Sequence, residues 1–122
     1  MEIDWFKESR PGTASLYPTN ITLNAEASFF FKKAYRVMVG KKESFLALRP
    51  ISKDEADRGD LDEDLLYKIN VHQSYARISS TPLMKQISEA LGLEIGDGPC
   101  KYRAFYDEES GMLLVDLSKE VV

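Results

Sequence analysis

Two stretches of the chain share one pattern of apolar, polar and turn residues. YRVMVGKKESFLALRP (Tyr35–Pro50) and YRAFYDEESGMLLVDL (Tyr102–Leu117) align without a gap. In both, residues of alternating polarity lead into a polar turn and an apolar run returns, which is typical of a β-hairpin. In the second turn, Gly111 can adopt the positive φ that tight turns require. The pattern indicates either an internal repeat of one structural unit or a chance similarity between two amphipathic hairpins.

The residues ahead of the first hairpin predict a short strand and a helix. Asn20–Asn24 has the alternation of a strand, and Asn24 is a suitable N-cap for the residues that follow it. The helix would carry an apolar face formed by Ala27, Phe30, Phe31 and Ala34. An aromatic run such as Phe29–Phe31 is more often core with a solvated edge than a surface that stacks nucleic-acid bases.

The residues ahead of the second hairpin predict the same two elements. Tyr75–Ser80 has the composition of a short strand. We expect Thr81 to be the N-cap of a helix with Pro82 at its first position, and Gly92 to end that helix. Both copies would then run strand, helix and hairpin, which favours the repeat over chance.

Length and composition predict one domain with its own core. The chain has 122 residues, of which 43% are hydrophobic, and this is enough for a single compact unit. We place repeat one at about 14–51, an acidic connector at about 52–66 and repeat two at about 67–118. A second alignment stays open, in which residues 34–40 match residues 90–96 and the helix ends correspond instead of the hairpins.

The most specific local motif lies between the second helix and the second hairpin. LGLEIGD (Leu91–Asp97) follows the helix, and Arg77 with Ile78 supplies a basic and aliphatic pair in the strand before it. These residues resemble the SpoVT/AbrB swapped-hairpin family, in which a strand and short helix end in a similar motif and a hairpin follows. The resemblance covers about residues 75–117, and the first copy lacks the Leu-Gly and Gly-Asp elements.

The resemblance implies a fold and an arrangement of the two copies. The expected fold is α+β, mainly β, with two strand-helix-hairpin repeats that form an intramolecular swapped-hairpin barrel. A single unit of about 45 residues is too small to bury a core alone, and interlocked hairpins from two copies solve this problem. Two copies in one chain resemble the tandem MraZ branch of the family, whose members are DNA-binding regulators that assemble further into rings.

A DNA-binding transcriptional regulator of bacterial type is therefore the leading functional expectation, and duplex DNA the expected partner. The resemblance points to Arg77, and the repeat with the charge distribution adds Lys32, Lys33 and Arg36. Residues 1–53 carry nine basic and five acidic side chains, whereas the remaining residues carry seven and fifteen. The net charge of −4 argues against a general nucleic-acid binder. The alternative is an interaction or scaffold module of the same fold without DNA binding.

The same residues give little support to catalysis, a metal or a cofactor. Asp60, Asp62 and Asp64 have the spacing of a calcium loop, but Leu65 and Val71 stand where its glycine and glutamate belong. The single histidine and the single cysteine, Cys100, lack the partners of a metal or nucleophile site. We expect a non-enzymatic protein without cofactor, metal or small-molecule substrate.

The beginning of the sequence bears on location and assembly. MEIDWFKESR has neither the basic start nor the apolar run of a signal peptide, and no segment approaches the roughly 20 apolar residues of a membrane span. We therefore expect a cytoplasmic protein. Trp5 and Phe6 precede every predicted element, and we expect them to cover an open end of the barrel or another subunit.

Overall fold

The computed structural model describes residues 1–6, 10–96 and 98–121. Its main feature is one antiparallel sheet of eight strands. The strands are β1 (Gly12–Leu16), β2 (Asn20–Leu23), β3 (Arg36–Lys42), β4 (Phe45–Ile51), β5 (Asn70–Val71), β6 (Ala76–Ser79), β7 (Cys100–Asp107) and β8 (Met112–Glu120). Their order across the sheet is β3-β4-β8-β7-β1-β2-β6-β5. The expectation of an α+β fold that is mainly β is confirmed.

Three short helices and two 3-10 turns connect the strands. The helices are α1 (Ala25–Ser28), α2 (Lys53–Asp57) and α3 (Thr81–Leu91), and the 3-10 turns are Phe29–Phe31 and Glu63–Leu65. None of the described helices has the length and the hydropathy needed to cross a bilayer.

Polar side chains cap the helices largely as predicted. The Oδ1 of Asn24 accepts from the N–H of Ala27 at 3.0 Å and from the N–H of Thr13 at 2.9 Å, so one side chain starts α1 and ties it to β1. The expected cap at Thr81 is wrong by one residue, because Ser80 Oγ accepts from the N–H of Leu83. Gly92 ends α3 in the left-handed conformation, as its lack of a Cβ allows.

The sheet curls into a half-barrel whose two edges approach each other. Val37 in β3 and Tyr67, just ahead of β5, exchange both backbone hydrogen bonds, at 3.0 and 2.9 Å. Gly12 permits the close approach of β1 to β7, since a Cβ at this position would lie 2.7 Å from the carbonyl oxygen of Ala104.

The hydrophobic core lies on the concave side of this sheet. Strand residues of both hairpins and of β1, β2 and β6 are fully buried there, together with Phe31 and one face of α3. The largest fully buried side chains are Phe31, Leu16, Ile21, Leu23, Leu46, Leu48, Ile51, Ile78, Met84, Leu113, Val37 and Val115. Successive strand residues point to opposite faces, so the residues between these positions form the convex surface.

The two hairpins have related positions in the sheet. The hairpin β3–β4 lies beside β8, and the hairpin β7–β8 lies between β4 and β1. Ala47 pairs with Leu114, and Ile21 pairs with Ile78. In each of these pairs, the partners are residues that the sequence comparison places at corresponding positions of the two copies.

The second sequence alignment does not agree with the secondary structure. It sets residues 34–40, most of which belong to β3, against residues 90–96, which contain the end of α3 and a segment without a strand. The alignment of hairpin with hairpin matches strand with strand. Asp97 of the Leu91–Asp97 motif lies outside the described residues.

Two other expectations need correction, and two strands were missed. Phe30, expected on the apolar face of the first helix, is 38% exposed because the helix ends after one turn, whereas the buried Phe31 and the exposed Phe29 agree with a core that has a solvated edge. Trp5 and Phe6 do not cover an open end of the sheet, since 82% and 103% of their surfaces are exposed. The strands β1 and β5 were not expected, because one is rich in small residues and the other has only two residues.

Candidate nucleic-acid interface

A row of polar side chains crosses five strands on the convex face of the sheet. Cross-strand pairing places Lys101 opposite Ser15, Ser15 opposite Thr22, Thr22 opposite Arg77, and Arg77 opposite Asn70. Directly paired residues project from the same face of a sheet. We call these five residues the polar row.

Arg77 occupies the middle of β6 with an exposed side chain. Its Nε donates to Thr22 Oγ1 at 3.3 Å, and its guanidinium lies 5.3 Å from the centre of the Tyr75 ring. Thr22 Oγ1 in turn donates to Asn20 Oδ1 at 2.7 Å. Among the described residues, no partner engages the two Nη groups. The side chain is therefore held at its base while its planar donors remain accessible to an anion.

The strands around Arg77 carry no carboxylate on their convex face. The convex-face residues of β1, β2, β5 and β6 are Thr13, Ser15, Asn20, Thr22, Asn70, Arg77 and Ser79. Farther along the sheet, β7 and β8 carry Asp107 and Asp116 on the same face, and Arg103 lines a pocket together with Asp116 and Glu120. A local positive potential is therefore expected around Arg77, whereas that of Arg103 is partly cancelled.

Lys32, Lys33 and Arg36 lie elsewhere, between the first 3-10 turn and the start of β3. Lys32 Nζ lies 5.3 Å from the centre of the Phe29 ring, and Lys33 is exposed. Arg36 stacks on Tyr35 at 4.0 Å and donates to its carbonyl oxygen at 2.9 Å. No hydrogen bond or cation-π contact among the described residues joins these three side chains to Arg77.

A second cluster of cations surrounds Tyr35. Lys53 Nζ lies 5.2 Å from the centre of the ring on which Arg36 also stacks. The bridge between Val37 and Tyr67 makes Arg36 and the exposed Lys68 neighbours along the meeting edges of the sheet. This cluster is partly neutralised, because Lys53 forms an ion pair with Asp57 at 3.4 Å.

Sequence reasoning missed Lys101 and Arg103 as members of the basic surface. Their alternation with the buried Tyr102 and Ala104 is visible in the sequence and indicates that they point to solvent. Their place beside Ser15 and Thr13 depends on the pairing of β7 with β1, which joins residues far apart in the chain. No local sequence pattern predicts the register in which β7 pairs with β1.

The convex face of the other half of the sheet is apolar. Pairing places Gly40 opposite Ala47, Ala47 opposite Leu114, and Leu114 opposite Phe105, across four strands. We call these four residues the apolar row. Phe45 extends it, with its ring in edge-to-face contact with Phe105 at 5.8 Å between centres. The nearby Arg49 is bound in an ion pair with Glu55 of α2.

The pKa shifts of Cys100 and Tyr102 arise mainly from burial and do not indicate a reactive group. Burial raises the pKa of Cys100 above its usual value, and the neighbouring Glu120 raises it further. Burial also raises the pKa of Tyr102. Both shifts favour the neutral forms, which are poor nucleophiles. In the part of the chain that the structure describes, no three His, Cys, Asp or Glu residues are grouped to hold a metal ion.

Comparison of the chain with models of known families, with characterised proteins and with solved structures found no match.

Proposed function

We propose that this protein is a non-enzymatic, DNA-binding transcriptional regulator of the SpoVT/AbrB swapped-hairpin kind, in an MraZ-like tandem arrangement. The observation that carries the proposal is the polar row, which places Arg77 and Lys101 on one face of the sheet and contains no carboxylate itself. Phosphate contacts by such cations provide most of the affinity for duplex DNA, and base contacts provide specificity.

The pairing of the hairpins supports the swapped-hairpin part of the proposal. The lateral partners of β3–β4 are β8 and Tyr67, which both belong to the second repeat. The lateral partners of β7–β8 are β4 and β1, which belong to the first repeat. Each hairpin thus completes its sheet with strands of the other unit, which is what exchange between two copies in one chain requires.

The spacing of the polar row suits a duplex. Lys101 and Arg77 are separated by three strand spacings, or about 14 Å along the sheet. The major groove is about 12 Å wide, so two long basic side chains at this distance can reach the phosphates on its two sides. Of the residues near Arg77, Thr22 on one side and Asn70 on the other would face the groove, where they can donate to or accept from base edges, whereas Ser15 is buried.

The two copies would not contribute equally to DNA binding. Arg77 corresponds to Asn20 in the first copy, because Ile78 corresponds to Ile21. In the hairpin turns, Lys41 and Lys42 of the first copy are replaced by Glu108 and Glu109 of the second. The strand cation is therefore supplied by the second copy and the turn cations by the first.

Titration of a fluorescent random duplex at several salt concentrations tests this function. We expect Arg77→Ala and Lys101→Ala each to weaken binding and to reduce the slope of log affinity against log salt by about one unit. The matched control is Lys85→Ala, an exposed lysine on α3 away from the row. Absence of binding by the unmodified protein at about 50 mM salt, where electrostatic affinity is high, would overturn the proposal.

Lys32, Lys33 and Arg36 are proposed to make auxiliary phosphate contacts. The double change Lys32→Ala with Lys33→Ala should flatten the salt slope by about two units if both lysines touch DNA. A slope equal to that of the Lys85→Ala control would assign these lysines no part in binding. Arg77→Ala is the variant that can also relax sequence preference, because its guanidinium is free to reach a base edge.

The apolar row favours a second candidate, an interaction or scaffold module of the same fold. Leu114 and Phe105 project from the convex face, where Leu114 is partly exposed and Phe105 is 48% exposed. Apolar residues grouped in this way are common where proteins associate. If the unmodified protein binds no DNA but associates in sedimentation experiments, and Leu114→Glu abolishes the association, the scaffold function takes the place of DNA binding.

A further inference from the structure

The edge of β3 has backbone groups available for another strand. Val37 directs its N–H and C=O away from β4 to pair with Tyr67. In an antiparallel ladder this direction alternates, so Val39 and Lys41 direct theirs the same way. No backbone partner for these two residues is present among the described parts of the chain, since the segment ahead of Tyr67 turns into the 3-10 turn Glu63–Leu65. An exposed edge of this kind is a template for strand addition.

An apolar groove lies beside this open edge. It has a volume of about 210 Å³ and runs between β3, the 3-10 turn and α3. Its walls include Val39, Leu65, Tyr67, Leu83, Ile87 and Leu91. A water molecule occupies about 30 Å³ of liquid volume, so the groove can accept apolar side chains from a strand paired with β3.

The segment Met1–Phe6 has the pattern that such a site would bind. Met1, Ile3 and Trp5 alternate with Glu2, Asp4 and Phe6, so an extended backbone would place three apolar side chains on one face and the two carboxylates with Phe6 on the other. Ile3 and Trp5 are 59% and 82% exposed within their own chain. At the open edge of β3, Lys42 lies on the face opposite the groove and has the sign that complements the carboxylates, whereas Lys41 lines the groove itself.

We propose that Met1–Phe6 of a second copy of this chain adds to the edge of β3 as an extended strand. Ile3 and Trp5 enter the groove, because paired residues share a face and Val39 points there. Glu2 and Asp4 then lie on the opposite face, which they share with Lys42. The segment comes from a second copy because its own chain leads into β1, which three strands separate from β3.

A charge exchange tests this arrangement by sedimentation and by the fluorescence of Trp5, the only tryptophan. Lys42→Glu should weaken self-association by about tenfold or more, as should Glu2→Lys with Asp4→Lys. A mixture of the two variants should restore association, together with the blue-shifted emission of a buried Trp5. Lys85→Glu, which changes the net charge as Lys42→Glu does but at an exposed position elsewhere, should leave association unchanged.

Substitutions in the groove and in the docking segment distinguish docking of a second copy from docking within one chain. Ala90→Arg, at an exposed position of α3 that borders the groove, should block docking without touching the core, and Trp5→Ala should have the same effect. If Trp5 is buried at all protein concentrations in a monomer, the segment occupies its own groove and the second-copy proposal fails. If Trp5 emission stays that of an exposed residue and the charge variants associate like the unmodified protein, the groove is not the docking site.

Discussion

The polar row and the apolar row lie on the same face of one sheet and meet on the same strand. On β7, Lys101 belongs to the polar row and Phe105 to the apolar row, with Arg103 between them. The concave face behind both rows holds the buried hydrophobic core. The core therefore constrains only one side of each strand, and the other side is free to differ between the two halves of the sheet. Two chemically different surfaces on one small domain follow from this freedom.

The largest predicted effect is a difference in stability between substitutions on the concave and the convex face of the apolar half of the sheet. Leu48→Ala removes a fully buried side chain of β4 and should lower the free energy of unfolding by about 2–5 kcal/mol. Leu114→Ala makes the same chemical change on the convex face of the neighbouring strand and should cost about 1 kcal/mol or less. Urea unfolding at low protein concentration measures both. Equal costs would mean that the apolar row is part of the core.

A carboxylate introduced into each row should then distinguish their roles in DNA binding. Thr22→Glu places an anion directly opposite Arg77 and should weaken duplex binding by about tenfold at low salt. Leu114→Glu makes the same addition of charge in the apolar row and should change binding much less, because it lies outside the basic surface. Fluorescence anisotropy with one duplex measures both variants. A larger loss for Leu114→Glu would move the DNA surface to the other half of the sheet.

A smaller effect is expected from the aromatic contact that extends the apolar row. Phe105→Leu keeps an apolar side chain but removes the edge-to-face contact with Phe45, and should lower the free energy of unfolding by about 0.5–1.5 kcal/mol. Chemical denaturation below and above the concentration of any self-association measures this loss. A greater loss in the associated state would indicate that the row is covered there.

The smallest effect concerns Asp116 at the end of the apolar half. Hydrogen bonds from the Ser118 hydroxyl and N–H, at 2.6 and 3.0 Å, lower the pKa of this carboxylate. Its contribution to stability is present above the pKa of the unfolded state and is lost as pH falls through the folded pKa. Ser118→Ala should therefore lower the melting temperature slightly at neutral pH and converge with the unmodified protein in acid. A difference that persists in acid would point to packing of Ser118 instead.

Several local features could be predicted because they depend on neighbouring residues. The two hairpins, the cap at Asn24 and the end of α3 at Gly92 follow from alternation, a capping side chain and a glycine. The cap at Ser80 was assigned one residue too late, because Ser80 and Thr81 have equivalent hydroxyls and only backbone geometry selects one. The brevity of α1, which leaves Phe29 and Phe30 exposed, depends on how β3 returns to the sheet.

The candidate site was only partly visible in the sequence. Arg77 was named from the resemblance of its strand and the following motif to the SpoVT/AbrB family, and the structure leaves its side chain exposed. Lys101 could not be joined to it, because the link runs through Ser15 and Thr22 in two strands of another repeat. The strand β1, which makes that link, has too few branched or aromatic residues to be recognised from its own sequence.

The sequence by itself determined which residues face the core within each hairpin and where most elements begin and end. These properties follow from periodicity and capping, which act over a few residues. The tertiary structure alone decided that β7 pairs with β1, that β4 pairs with β8, and hence that the polar and apolar side chains form separate rows. The physical reason is that the register between distant strands is selected by burial of the whole concave face. The arrangement of side chains on the convex face is therefore fixed only when all the strands are paired.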